Sequence, residues 1–338
     1  MDNRNRRIVA VIALFFVVCI AGQAIVYGGD AYRFDAVAEF GENNVMVDID
    51  TNYALEYSIL SLRSDSTFGV SSYAIWCDEA YPVIGDLDAI RDCIHRLQLY
   101  FTNSNSSLDI ITTDELTRIV ASGDTSTAVL FITGTLPSSI YTGNQSDPIF
   151  DWLAVGGVMY WLSEKIGHSY AEKGLPHTTQ VYGSDILFFG ATDVVRAESN
   201  EVYTRNIESG SVTSKLGIYY GEITNGIDCS RLTTPYLALD CNDGTYSAAT
   251  FIQYHGGTGA VCVFGGHIKH EDVPTSVMAS VTQAVVSGVS YDTMILDNRT
   301  GSGDASFNLH SDDSSYVYVY VGEMNTIWAK CLKRASAM

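Results

Sequence analysis

The chain has 338 residues, 46% of them hydrophobic and 17% charged, with 19 Lys and Arg against 39 Asp and Glu for a formal charge of -20. That apolar content excludes a disordered tail, and the absence of heptads excludes a coiled-coil rod. Arg4, Arg6, Arg7 and Asp2 precede residue 28, so 19 - 3 = 16 basic and 39 - 1 = 38 acidic residues follow, a balance of -22 that repels phosphate backbones and excludes nucleic acid as a partner.

Ile8 to Tyr27 reads IVAVIALFFVVCIAGQAIVY, twenty residues without a charge. A helix of that length spans about 30 Å, the thickness of a bilayer core. The Arg cluster before it predicts a cytoplasmic N-terminus, and everything after Tyr27 exported. Residues 1–27 therefore read as a cytoplasmic stub and a signal-anchor transmembrane helix, in a protein of the cell membrane that passes it once. A cleaved signal peptide is the rival reading, with Ala21 or Ala24 near the cleavage site. Val18 before Cys19 departs from a lipobox, which needs a small residue there.

Residues 28–70 read as a β segment. Asp35–Phe40, a turn at Gly41–Asn44 and Val45–Ile49 predict a hairpin, with Ala54–Leu62 as a third strand. Over 71–290 strands alternate with helices. Tyr73–Cys77 is a short apolar strand. Asp86 caps a helix with Leu87, Ile90, Ile94, Leu97 and Phe101 on one face. Leu108–Ile111 is a strand, Thr112–Glu115 a capping box opening a helix through Val120, and Ala128–Ile132 a third strand. Asp147 and Pro148 start a helix that Gly156-Gly157 ends, with Asp147 as its cap. Val158–Leu162 is a fourth strand. Val212, Leu216, Tyr219 and Ile223 keep helical spacing. Phe251–Tyr254 and Ala260–Phe264 bracket the Gly-rich hairpin turn His255–Gly259, and Asp272 and Pro274 open a last helix to about Ser287. This alternation predicts an α/β fold with a doubly wound, mostly parallel sheet. Residues 291–338 return to strand character and are expected to pack with 28–70 as one small β module.

Outside the apolar run there are six cysteines: Cys77, Cys93, Cys229, Cys241, Cys262 and Cys331. Cys229 and Cys241 flank a short loop and are the candidate disulfide, with buried thiols as the rival reading. Asn105, Asn144 and Asn298 open glycosylation sequons, which fit an exported chain.

Three stretches carry a family likeness. They are Thr133–Tyr141, Phe150–Met159 and His255–Gly266. In order and spacing, 71–290 resembles the class I glutamine amidotransferase-like fold, a flavodoxin-like three-layer sandwich, and is closest to its non-catalytic exported and ThuA-like members. The resemblance implies a Cys on a Gly-x-Cys-x-Gly elbow after the fourth strand and a His-Pro-Glu motif further on. Here the elbow position falls at Leu162-Ser163-Glu164, flanked by Trp161 and Lys165, which leave no room for the strained turn. The second motif falls near His267, with Lys269 in place of the acid.

In an open α/β sheet ligands bind beyond the carboxyl ends of the strands. The ligand candidates there are Asp78, Glu79, Thr133, Gly134, Thr135, Glu164 and His267. His267, His270 and Glu271 read His-x-x-His-Glu, which departs from the His-Glu-x-x-His zinc order and leaves them weak metal candidates. No cofactor is implied. The expected function is that of a membrane-anchored binding or structural domain of the cell envelope, with a glycan or an envelope protein as partner. The alternative is an extracytoplasmic hydrolase acting on a glycan or an amide through Ser163 and His267.

Overall fold

The computed structural model describes residues 25–27, 30–32, 34–51, 56–64, 68–196, 226–238, 241–242, 246–247, 249–265, 275–286, 288–310, 315–323 and 326–333. In chain order the first strands are β1 (Ile25–Tyr27), β2 (Asp30–Tyr32), β3 (Phe34–Phe40), β4 (Asn44–Thr51) and β5 (Glu56–Ser64). There follow β6 (Ser72–Trp76), α1 (Leu87–Asn103), β7 (Asp109–Ile111), α2 (Thr113–Ser122), β8 (Thr127–Phe131), β9 (Leu136–Pro137) and α3 (Pro148–Ala154). Next are β10 (Val158–Ser163), β11 (Ser169–Ala171), β12 (Thr179–Gln180), α4 (Ser184–Phe189), β13 (Val195–Arg196), β14 (Gly226–Asp228) and β15 (Tyr236–Ala238). The chain continues through β16 (Cys241–Asn242), β17 (Tyr246–Ser247), β18 (Ala249–Gln253), β19 (Ala260–Gly265) and α5 (Thr275–Val286). It ends with β20 (Thr293–Ser302), β21 (Ala305–His310), β22 (Ser315–Glu323) and β23 (Thr326–Lys333).

The central sheet has seven strands in the order β15-β18-β19-β10-β8-β6-β7. From β7 to β19 every pairing is parallel, and β18 and β15 close one side antiparallel. Taken by chain position, the five parallel strands stand 2-1-3-4-5, so the winding reverses between β6 and β8. These strands are nearly continuous apolar runs because both faces are covered. Ile75, Leu130, Tyr160 and Cys262 point to one face, where α1 and α5 supply Ile90, Ile94, Leu97, Met278 and Val281. Trp76, Phe131, Trp161 and Val263 point to the other, against Leu116 and Ile119 of α2, Phe150 and Leu153 of α3 and Phe188 of α4. Burying each of those aliphatic side chains contributes roughly 1.5–3 kcal/mol.

The helix ends follow local chemistry. Asp86 accepts the Ala89 N–H at 2.9 Å, and Ile90, Ile94, Leu97 and Phe101 are buried, with Cys93 beside them and Leu87 only half-buried. Thr112 and Glu115 form the reciprocal capping box on α2, which stops at Gly123 in the left-handed region. Asp147 precedes α3 without capping it. Its carboxylate turns back to accept the N–H groups of Thr142 and Asn144 at 2.6 and 2.9 Å and the Thr142 hydroxyl. That loop offers three donors to one acid, more than a helix end whose first turn is already led by Pro148.

The hairpin β3–β4 forms with its turn over 41–44. β5 does not extend it as a third neighbour. It pairs with β20 and β22 in a second sheet, β20-β5-β22-β23, while β4 pairs with β21 in the sheet β21-β4-β3. Both sheets contribute to one small core of Ala36, Val45, Val47, Ile49, Ile59, Leu309 and Val317.

At the N-terminus Ile25–Tyr27 is strand β1, paired antiparallel with β2, so the last three residues of the apolar run are extended and not helical. Residues 1–24 lie outside the described residues. Among the described residues no helix is long and apolar enough to cross a membrane. The helical spacing at Val212, Leu216, Tyr219 and Ile223 also falls outside them, as do Asp272 and Pro274.

Candidate functional site

The carboxyl ends of β6, β8 and β10 bring Asp78, Thr133 to Thr135 and Glu164 to the same end of the sheet. Asp78 follows β6. Its Oδ2 accepts the Thr113 N–H at 3.0 Å, in the first turn of α2, and its Oδ1 accepts the Ala80 N–H at 3.1 Å. Burial pushes this carboxyl up. The two N–H groups, the Thr113 hydroxyl and the Lys173 charge outweigh it and hold the acid below the ordinary aspartate value. Trp76 locks the other side of the joint, its Nε1 donating to Thr113 Oγ1 at 3.1 Å. Asp78 is thus a brace between β6 and α2 at the switch point. Glu79 points away to an exposed ion pair with Arg91, which also pairs with Asp88. Such pairs contribute about 0–1 kcal/mol.

The Thr133-Gly134-Thr135 loop is buried. Thr133 and Thr135 bond to one another through Oγ1, Thr135 Oγ1 donates to the Pro82 carbonyl at 3.3 Å, and the Thr133 carbonyl accepts the Ile84 N–H at 2.9 Å. Gly134 has φ +72, and a Cβ there would stand 3.0 Å from Ile84 Cβ and 3.1 Å from Glu164 Cγ. Residues 80–86 therefore fold down onto this loop and occupy the crevice with the protein's own chain. Gly174 ties a further loop across it, its N–H on the Ala80 carbonyl at 2.7 Å.

Ser163 is the last residue of β10, and its backbone stands in register with Gly265 of β19, so the strand pairing runs through the position where an elbow would turn. The Glu164 carbonyl accepts Trp161 Nε1. Lys165 leaves the sheet end altogether. Its ammonium lies 3.0 Å from Asp185 Oδ1, and Asp185 Oδ2 accepts the N–H groups of Val194 and Val195 at 2.8 and 3.0 Å. Asp185 is 3% exposed, which makes this a buried acid held by two backbone N–H donors and one ion pair. A Ser-Asp pair opening a six-residue helix carries little pattern, so Asp185 is not legible in the sequence.

His267, His270 and Glu271 lie outside the described residues. Among the described residues no three His, Cys, Asp or Glu stand together as metal ligands. His255 is half-buried, its Nδ1 3.3 Å from the Phe188 carbonyl. The Gly-rich turn after it caps α3. Thr258 and Gly259 donate their N–H groups to the Ala154 and Leu153 carbonyls at 3.2 and 2.9 Å. A Cβ on Gly259 would meet the Leu153 carbonyl oxygen at 2.2 Å, so glycine serves a close backbone approach there.

Cys77, Cys93 and Cys262 are thiols. The candidate Cys229–Cys241 bridge involves a Cys241 side chain that lies outside the described residues. Ile227 of β14 pairs with Ser247 of β17, which pairs with Cys241 of β16. The Cys229 Sγ lies 3.7 Å from the Ile227 carbonyl. Of the sequons, Asn105 is exposed in the turn after α1 with φ +55, and Asn144 is exposed with its amide on Thr142 Oγ1 at 2.7 Å. Asn298 lies within β20, opposite Leu60.

A scan against protein-family models finds no match to this chain, and a search of curated proteins finds no relative.

Proposed function

We propose that this chain is a single-pass, membrane-anchored domain outside the cytoplasm that binds a partner without turning it over, on a non-catalytic amidotransferase-like fold in a cell-envelope role. The observation that carries the proposal is the end of β10. Acyl transfer needs a nucleophile on a sharp turn, a base within about 3 Å and amides aimed at the oxyanion. Here strand pairing continues through Ser163, Lys165 is committed to Asp185, and the Thr133–Thr135 loop is closed by residues 80–86. The strand order 2-1-3-4-5 and the covering of both sheet faces by helices support the likeness in fold.

The anchor rests on composition. With Ile25–Tyr27 in strand β1, residues 8–24 remain for it, 24 - 8 + 1 = 17 residues. As a helix they reach about 25 Å, the lower end of what spans a bilayer. The partner is a glycan or an envelope protein. Two experiments test the proposal. The intact chain should stay with membranes through carbonate extraction and lose residues after Tyr27 to external protease; a full-length chain soluble in the cytoplasm contradicts the anchor. Hydrolysis of p-nitrophenyl esters should be the same for the wild type, Ser163→Ala and His267→Ala; turnover that depends on Ser163 contradicts the non-catalytic reading.

A further inference from the structure

Asn105 and Asn144 each open an Asn-x-Ser triplet, and the fold sets both triplets on turns. Asn105 follows α1. Its φ of +55 lies in the left-handed region, which asparagine tolerates at the end of a helix. The Ser106 N–H closes onto the Phe101 carbonyl at 2.9 Å and stops the helix there. A helix stop explains the asparagine. It makes no demand on Ser107, which is exposed together with Asn105.

Asn144 lies between β9 and α3. Asn144, Gln145 and Ser146 are all exposed, and the Asp147 N–H donates to the Asn144 carbonyl at 3.0 Å to close the turn. The Asp147 carboxylate holds the Asn144 N–H at 2.9 Å, and Asn144 Nδ2 donates to Thr142 Oγ1 at 2.7 Å. The turn is therefore braced on its inner side without using Ser146. Both triplets offer an amide and a hydroxyl two residues on, from backbone that pairs with no strand. Asn298 differs, since its backbone is held in the ladder of β20 opposite Leu60.

We infer that Asn105 and Asn144 are N-glycosylated, an inference that rests on the proposed reading of the chain as exported, because the transfer takes place beyond the cytoplasm. The donor is an oligosaccharide joined through its anomeric carbon to a lipid phosphate. Asn Nδ2 bonds that carbon as the bond from the carbon to the phosphate oxygen breaks. The lipid phosphate leaves with the electron pair, and the amide gives one proton to solvent. Nothing is oxidised or reduced. The product keeps one N–H on Nδ2, enough for the contact of Asn144 with Thr142. The two attachment points stand at opposite ends of the main sheet, since Asn105 leads into β7 and Asn144 follows the carboxyl end of β8.

The test uses the full chain isolated from the membranes of the cells that encode it, read by glycopeptide mass spectrometry, with external protease on intact cells reporting topology. Peptides bearing Asn105 and Asn144 should carry saccharide mass. Asn105→Gln and Asn144→Gln should each remove one increment from the intact mass. Ser107→Ala and Ser146→Ala should do the same with the asparagine in place, while Ser107→Thr and Ser146→Thr retain it. A purely structural asparagine would keep its mass unchanged through all four serine variants, apart from the substitution itself. Unmodified peptides from a chain that external protease reaches overturn the inference and leave export standing. Modification at one position alone overturns it at the other. A chain without sugar that protease cannot reach contradicts export, and the inference falls with it.

Discussion

Replacing Asp185 tests the buried joint that takes Lys165 away from the end of β10. The carboxylate accepts two backbone N–H groups at 2.8 and 3.0 Å and faces the Lys165 ammonium at 3.0 Å, with its own side chain 4% exposed. Asp185→Ala removes the acceptor for Val194 and Val195, both buried. Each orphaned buried donor costs about 1–3 kcal/mol. The Lys165 side chain is 28% exposed, so its ammonium recovers part of its hydration and the ionic share is smaller than for a sealed pair. The total should be about 3–5 kcal/mol. Lys165→Met leaves both N–H bonds in place and should cost about 1–2 kcal/mol. Asp185→Asn keeps one acceptor oxygen and should fall between. Urea unfolding followed by the fluorescence of the buried Trp152 and Trp161 gives the three values. If Asp185→Ala costs under about 1 kcal/mol, or Lys165→Met costs as much as Asp185→Ala, the joint does not hold this region together.

Gly259→Ala forces a methyl group against the Leu153 carbonyl at 2.2 Å and should lower stability by about 2–4 kcal/mol, measured as a shift in urea midpoint; a change within about 0.5 kcal/mol contradicts the cap on α3. Asp78 has a folded value below its unfolded one, so its contribution is present above the unfolded value and is lost as pH falls through the folded one. The stability gap between wild type and Asp78→Ala should therefore shrink from about pH 6 to about pH 3, and a constant gap refutes the brace. Burial pushes the Cys93 thiol up to about 12 and the Cys262 thiol well up, while burial and the Glu79 carboxylate raise Cys77. In the native protein at neutral pH, Cys93 and Cys262 should resist iodoacetamide until urea unfolds the chain, and Cys77 should react more slowly than in the unfolded chain.

The parts legible in the sequence are those set by local chemistry. Asp86 and Thr112–Glu115 announce their helices because a cap needs only its own first turn, and the apolar runs of β8 and β10 announce strands covered on both faces. What the sequence hid depends on distant partners. Strands of two or three residues, such as β9, β11 and β12, show no period. Asp147 precedes a proline-led helix like a cap, yet three donors in the preceding loop claim it. Hydropathy alone does not mark where an apolar run stops being helix, and Ile25–Tyr27 is extended because β2 pairs with it.

The most direct test of the central claim, that the end of β10 carries no activated nucleophile, is labelling of the full chain with a serine-reactive fluorophosphonate beside Ser163→Ala. The probe needs only an activated hydroxyl, so it does not depend on knowing a substrate. With the strand pairing continuing through Ser163 and Lys165 held on Asp185, wild type and variant should give the same background signal. Labelling of wild type that disappears in Ser163→Ala would contradict the account and identify a hydrolase.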